Sequence, residues 1–323
     1  MKKSLKIAIL SYRSAPFGGG QGIYVYELSK TLKQLGHQVD IISGPPYPEL
    51  IPGIKLIKLP GLNLFSTFKF RDRLDLFLNK KNKSFDDWYE FSSTLLGGFP
   101  ELQTFGNRAH SYLLDKTYDV VIDNQSISYG AVKIQDSFPL VEMMHHPISK
   151  DYYYDLKFAK GILQRISKIR WYSFLKMQKI SAKKINVIVT PSVNSKADIH
   201  IDFKVPMENI QVIPNGIDCD IFCPLPQILS KKNRLITTAS ADVPLKGLDF
   251  SLEAIARLKP EYPDIHLMVI GSPRKEGHTE RLIKKLELEN NVSFRTNLTK
   301  EEIAQEYAQS EAAIVSSLYE GFG

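Results

Sequence analysis

The sequence predicts an α/β protein of two successive parallel-sheet units, the second of them incomplete, and three observations predict it. Short β-branched runs recur with helical stretches between them, the pattern left by βαβ units. A chain of 323 residues has the length of about two domains, and 43% apolar residues suffice for a core in each. Charged residues at 24%, aromatics at 11%, 19 Gly and 18 Pro are ordinary globular usage, which excludes a disordered or collagen-like chain.

The elements follow in order. Strands are predicted at 5–11, 39–43, 54–59, 120–123, 140–144 and 187–190 in the first unit. A second series follows at 211–213, 235–239, 266–270, 292–295 and 312–316. Val25, Leu28, Leu32 and Leu35 step by helical intervals and predict one apolar helix face, ended by Gly36 at a C-cap. The stretch 63–108, rich in Phe, Lys and Asp, is the least regular part and reads as an insertion over one end of the sheet. Pro214-Asn215-Gly216, with Pro224 and Pro226 after it, marks the junction, which divides the chain into 1–213 and 214–323. Thr299 followed by Glu302 is a capping box that opens a helix toward Gln309.

The net charge of +7 is local. Nine Lys and Arg and no Asp or Glu lie within 157–184, and the remainder of the chain sums to −2. That argues for one cationic surface and against a nucleic-acid-coating protein. If 158–180 is helical, Phe158, Ile162, Ile166 and Ile169 share one face, with Trp171, Tyr172 and Phe174 among the cations. Such a helix either packs into the core with a solvated basic face or lies on an anionic membrane. No run of eighteen apolar residues and no signal-peptide pattern occurs, so the expected location is cytoplasmic, with peripheral contact at the inner membrane face as an option. Cys219 and Cys223 lack further ligands at metal-site spacing and read as reduced thiols, so no metal is expected.

Four stretches carry candidate chemistry. Phe17-Gly18-Gly19-Gly20-Gln21-Gly22 joins the first strand to the first helix, where amide groups and the helix N-terminus can hold a phosphate. The spacing is not that of a dinucleotide fingerprint, and a glycine turn can also be purely steric. His145-His146-Pro147 follows a strand, at the edge where open α/β sheets place their ligand contacts. Ser240 to Gly247 follows another strand, and Lys246 beside Gly247 suits a diphosphate, against the alternative of a solvated loop lysine. The chain closes on Ser316-Ser317-Leu318-Tyr319-Glu320-Gly321-Phe322-Gly323, a strand, a turn and a glutamate.

In order, these motifs, with Gly36-His37, Thr190-Pro191-Ser192, 213–218 and Val269-Ile270-Gly271, resemble the family 4 glycosyltransferases of GT-B fold. The resemblance spans nearly the whole chain, and Glu-Gly-Phe-Gly is its most specific member. It implies two Rossmann-like domains facing a cleft and a retaining transfer from a nucleotide-diphosphate sugar to an acceptor hydroxyl. By resemblance Lys246 and Gly247, with Gly19 and Gly20, hold phosphate, and Glu320 contacts the donor sugar. His145, or alternatively His146, bonds the sugar near the reacting carbon. The acceptor is a saccharide or a lipid-linked saccharide, and no cofactor beyond the donor substrate is implied. Two departures stand out. Where the family has an arginine, this chain has Ala241, with Ser240 beside it. The family's second glutamate lies beyond Gly323, so the chain as it stands is expected to be a fragment with little activity. A non-catalytic sugar-nucleotide-binding protein is the alternative.

Overall fold

The structure, a computed structural model, describes residues 3–15, 20–238 and 242–322. These form two compact units, one running to Pro214 and taking in Gly321 and Phe322, the other Asn215–Glu320.

In the first unit β1 (Lys6–Ser11) is an almost wholly buried apolar run, as expected of a strand covered on both faces. α1 (Gly20–Gln34) returns the chain to β2 (Gln38–Ser43), with Val25 in the core beneath it. Gly36 ends this turn at φ +89. The helix stops at Gln34, so Leu35 falls in the turn and is 67% exposed instead of completing the apolar face.

β3 (Lys55–Lys58) is followed by α2 (Phe70–Asn79), α3 (Phe85–Leu95) and α4 (Glu101–Leu113). The stretch expected to be least regular is therefore largely helical. Two local features explain it: Ser84 and Asp87 form a capping box on α3, and Phe77 stacks on Phe91 at 4.2 Å beside buried Leu62 and Leu64.

β4 (Val120–Asn124), α5 (Tyr129–Gln135) and β5 (Leu140–Met143) come next, then α6 (Ser149–Lys157), α7 (Ile162–Trp171) and α8 (Leu175–Ala182). A single helix over 158–180 does not form. Gly161, at φ +84, separates α6 from α7, and a 3-10 turn at Tyr172–Phe174 separates α7 from α8. The core-packing alternative holds for α8, which buries Leu175, Met177 and Ala182, but not for α7, which buries none of its residues, with Ile162 72% and Leu163 81% exposed.

β6 (Ile188–Thr190), α9 (Val193–Phe203) and β7 (Ile210–Val212) complete the unit. The strand pattern grouped 211–213 with the second series while the junction at Pro214 left it in the first unit; Ile210 registers in parallel with Ile188, so it closes the first sheet. α9 supplies the crossover, burying Ile199 and Phe203, and an isolated strand could not be assigned without that pairing. The sheet runs β3-β2-β1-β4-β5-β6-β7, parallel throughout.

The second unit alternates β8 (Lys231–Thr238), α10 (Leu248–Leu258), β9 (His266–Ile270), α11 (His278–Lys285), β10 (Val292–Arg295), α12 (Lys300–Ala308) and β11 (Ser310–Ala313). Its parallel sheet runs β10-β9-β8-β11 over a core of Leu248, Leu252, Ile255, Leu267 and Val269. The Thr299–Glu302 capping box opens α12. β11 lies earlier than the 312–316 pattern suggested, with a register irregularity between Ser310 and Ala312.

Strand order reverses between β1 and β4 in one sheet and between β8 and β11 in the other. In open parallel sheets the ligand crevice lies outside the carboxyl ends at such a reversal. Gly20 follows β1, Lys246 follows β8 and Glu320 follows β11, strands at such reversals, whereas His145 follows β5, the neighbour of β4.

Candidate active site

In the first unit the loop after β4 builds the support for His145. Asp123 and Glu142, both fully buried, lie together beneath it. Burial, then the Asp123 charge, pushes the Glu142 carboxyl well above its usual range. Burial raises Asp123 as well, opposed by bonds from the Ser126 hydroxyl, Glu142 and the Ser126 and Ile127 amides. The Ser126 hydroxyl bonds Asp123 across a turn in which Gln125 and Ile127 have φ of 65 and 47.

That turn aims three polar contacts at the loop after β5. The His145 amide donates to Gln125 Oε1 at 2.9 Å, and Gln125 Nε2 donates to the His146 carbonyl at 3.2 Å. The His145 ring places Nε2 2.9 Å from Asn124 Oδ1. With the Asn124 amide oxygen turned to the ring, Nε2 donates and Nδ1 is left as an acceptor. The Tyr24 ring meets the imidazole edge-on at 4.6 Å and 82°. Burial, then the neighbouring His146, lowers the His145 pKa to about 4, so the ring is neutral at physiological pH.

His146 turns elsewhere, its Nε2 2.8 Å from Asp151 Oδ2 at the start of α6. It pins that helix, whereas His145 keeps a free ring nitrogen. Asn124, Gln125 and Tyr24 were missed in the sequence pattern, although the polar run Asp123-Asn124-Gln125 at a predicted strand end was a signal that could have found the first two.

Gly20 begins α1, and a Cβ there would meet nothing within 4 Å. Gly22 is the residue that packing demands, since a Cβ would strike the Ala15 carbonyl. No acidic residue occupies the first turn of α1, which leaves its N-terminal amides suited to an anion. Gly19 and Ser240, with Ala241, lie outside the described residues.

In the second unit a 3-10 turn at Pro244–Lys246 leads into Gly247, which has φ +62 and caps α10. A Cβ on Gly247 would collide with the Ser316 carbonyl. Two bonds clamp the same two loops: Ser316 Oγ donates to the Gly247 carbonyl at 2.8 Å, and the Leu318 amide donates to the Leu245 carbonyl at 2.8 Å. The clamp brings Lys246 Nζ to 2.9 and 3.1 Å from the two Glu320 carboxylate oxygens. Residues 74 apart in sequence thus form a cation and a carboxylate beside free helix amides.

Asp242 braces this loop from the other side by accepting from the Arg274 amide at 2.8 Å and the Thr279 amide at 2.9 Å. Its burial pushes the carboxyl up, but these bonds outweigh it, and the pKa falls below the usual value. Cys219 and Cys223 are free, exposed thiols, and among the described residues no three His, Cys, Asp or Glu side chains gather as a metal-ligating group.

A neutral histidine with a free acceptor nitrogen suits sugar hydroxyls, and a lysine at a helix N-terminus suits a diphosphate leaving group. The Glycosyltransferase Family 4 profile matches residues 18–221, and the Glycosyl transferases group 1 profile matches residues 226–323. An MMP alpha-(1->4)-mannosyltransferase of Mycolicibacterium hassiacum is 40% identical over 98% of this chain and 77% of its own length. Among solved structures, sucrose-phosphate synthase from Thermosynechococcus elongatus superposes with a TM-score of 0.70 at 20% identity, covering 98% of this chain and 77% of that one. WaaG, a glycosyltransferase involved in lipopolysaccharide biosynthesis, superposes at 0.65 and 17% identity, covering 98% and 76%. These likenesses identify the fold as GT-B, and no relative supports the binding-only alternative. The chain belongs to glycosyltransferase family 4 and is a hexosyltransferase-type enzyme that uses a nucleotide-sugar donor.

Proposed function

We propose that the protein transfers mannose from a nucleoside-diphosphate mannose to a hydroxyl of a saccharide acceptor, with the anomeric configuration retained. The observation that carries this reading is Lys246 held against Glu320 at the N-terminal end of α10. The mannosyl choice rests on the 40% identity to a mannosyltransferase. Lys246 neutralises charge as the diphosphate departs, and the Gly247 turn and α10 amides receive the same anion. Glu320 binds donor-sugar hydroxyls. His145 accepts a hydroxyl near the reacting carbon through Nδ1, and Gly19 and Gly20 offer amides to phosphate. The glycosidic bond to phosphate breaks as the acceptor oxygen bonds the anomeric carbon, and a departing phosphate oxygen takes the acceptor proton. Lys246 supplies the cationic role, so no metal or resident cofactor is needed.

The test is incubation with guanosine, uridine and adenosine diphosphate sugars and an α-linked mannose oligosaccharide, with and without EDTA. Mannose transfer giving an α-linked product, unaffected by EDTA, is the expected outcome. Transfer only of another sugar, or a β-linked product, refutes the reading.

We infer further that residues 157–184 touch the anionic, cytoplasmic face of a membrane, which suits a lipid-linked form of the acceptor. Among the described residues no helix is long and apolar enough to cross a membrane. α7 instead offers Ile162, Leu163 and Ile169 to the exterior beside Arg165 and Arg170. Each cation near such a surface contributes about 1 kcal/mol. Vesicles containing phosphatidylglycerol should sediment the protein at low salt and release it at 0.5 M NaCl (roughly a 4 Å screening length), and Leu163→Glu should abolish sedimentation. Equal binding to neutral vesicles, or an unaffected variant, contradicts the inference.

A further inference from the structure

A recess of about 160 Å³ opens in the first unit among α3, α4, the start of α5 and the 3-10 turn before α8. Nothing described so far uses it. Four aromatic side chains wall it: Tyr89, Phe99, Tyr129 and Phe174. Between the rings lie Ser93, Gln103, Ser173 and Lys176.

Among the described residues, the hydroxyls of Ser93, Ser173 and Tyr129 and the Lys176 ammonium make no bond to protein. Gln103 spends its amide oxygen on the Tyr89 hydroxyl at 3.2 Å, which leaves its NH2 group to donate. Aromatic faces with unspent donors and acceptors between them match a pyranose ring, whose C–H faces pack on rings and whose rim of hydroxyls donates and accepts. An alkyl chain of the same size would bury those polar groups unpaired, at a cost of about 1–3 kcal/mol each. The volume is below the roughly 300–1,000 Å³ of drug-sized ligand sites, which suits one sugar ring.

The recess is preformed. α4 and α5 meet backbone to backbone at Gly106 and Gly130, where a Cβ on either would clash, and this contact fixes Gln103 opposite Tyr129. Phe99 packs on Trp171 at 5.0 Å and Phe174 at 5.7 Å. The walls of the recess adjoin residues at the carboxyl edge of the sheet. Phe99 meets Tyr12, the residue after β1, at 6.3 Å, and Tyr129 directly follows the turn that orients His145.

We propose that this recess is a subsite for a non-reacting sugar unit of a saccharide acceptor. Tyr129 and Phe174 stack on the ring, and Gln103, Ser173 and Lys176 bond its hydroxyls. The proposal rests on the saccharide acceptor inferred above, and binding measurements separate the two.

The experiment measures binding of an α-(1→4)-linked mannose tetrasaccharide to the unaltered protein without donor, by calorimetry and saturation-transfer NMR. Tyr129→Ala should weaken it about tenfold, the equivalent of about 1.4 kcal/mol. Ser173→Trp, at an exposed position, should block the recess with no loss of melting temperature, and Gln103→Ala provides a second reading if either variant fails to fold. In turnover, KM for the tetrasaccharide should rise by the same factor, with kcat, donor KM and KM for methyl α-mannoside unchanged. Failure of the unaltered protein to bind the tetrasaccharide, or equal binding by folded Ser173→Trp, overturns the subsite. Tetrasaccharide binding lost in the variants, without mannose transfer by any form, supports the subsite and refutes the function proposed above.

Discussion

Replacing Lys246 with alanine should lower kcat by about two to three orders of magnitude, the usual consequence of removing one preorganised charge-stabilising donor. Negative charge develops on the diphosphate as the glycosidic bond breaks, and Lys246 is the cation its loop holds in place through the Gly247 turn and the Ser316 clamp. With Ala at 241 where relatives by resemblance carry arginine, less of that burden can be shared. Steady-state kinetics with nucleoside-diphosphate mannose checks this, and near-normal kcat would remove Lys246 from the site. Lys246→Arg should recover part of the rate, because charge is kept while the compact ammonium geometry against Glu320 is not. Glu320→Ala should cost a similar factor through lost contacts to the sugar.

His145→Ala should lower kcat/KM by about a hundredfold, and the pH behaviour of the unaltered protein should identify the cause. The ring is needed neutral, and its pKa lies at about 4, against 6.5 for a free histidine. The acid limb of activity due to this group should therefore fall near pH 4. Stability carries the same sign. Between 6.5 and about 4 the unfolded chain binds the proton and the folded one does not, so stability rises with pH across that window. Its contribution is complete above 6.5 and lost on acidification toward 4, up to about 3 kcal/mol. Comparing melting temperatures at pH 7.5 and 4.5 between the unaltered protein and His145→Gln isolates it, because the other titrating groups are common to both. His145→Gln should lose less stability over that interval, and an identical loss in both proteins would contradict the burial argument.

The legible part of the site was its placement. His145, Lys246 and Glu320 each follow a recognisable strand, and a strand end in a parallel sheet is a place where side chains reach ligands. Their partners were not legible. Asn124 meets His145 from 21 residues away and Glu320 meets Lys246 from 74 away, and no local pattern encodes such a distance. The residue pattern alone did not separate the two histidines, and only the family resemblance put His145 ahead of His146. They differ because Asp151 takes one ring and the Asn124 turn takes the other.

By itself the sequence determined the alternation of strands and helices, the capping box that starts α12, and the glycines at 36 and 247. Each follows from side-chain period, hydrogen bonding within one turn or φ at a single residue, all of which are local. Tertiary structure alone decided that the 210–212 strand closes the first sheet, that α7 faces outward, and that four aromatic rings from separate segments surround one recess. Those outcomes depend on which surfaces remain unburied once the sheets have formed, a competition among segments distant in sequence that no single segment's composition settles.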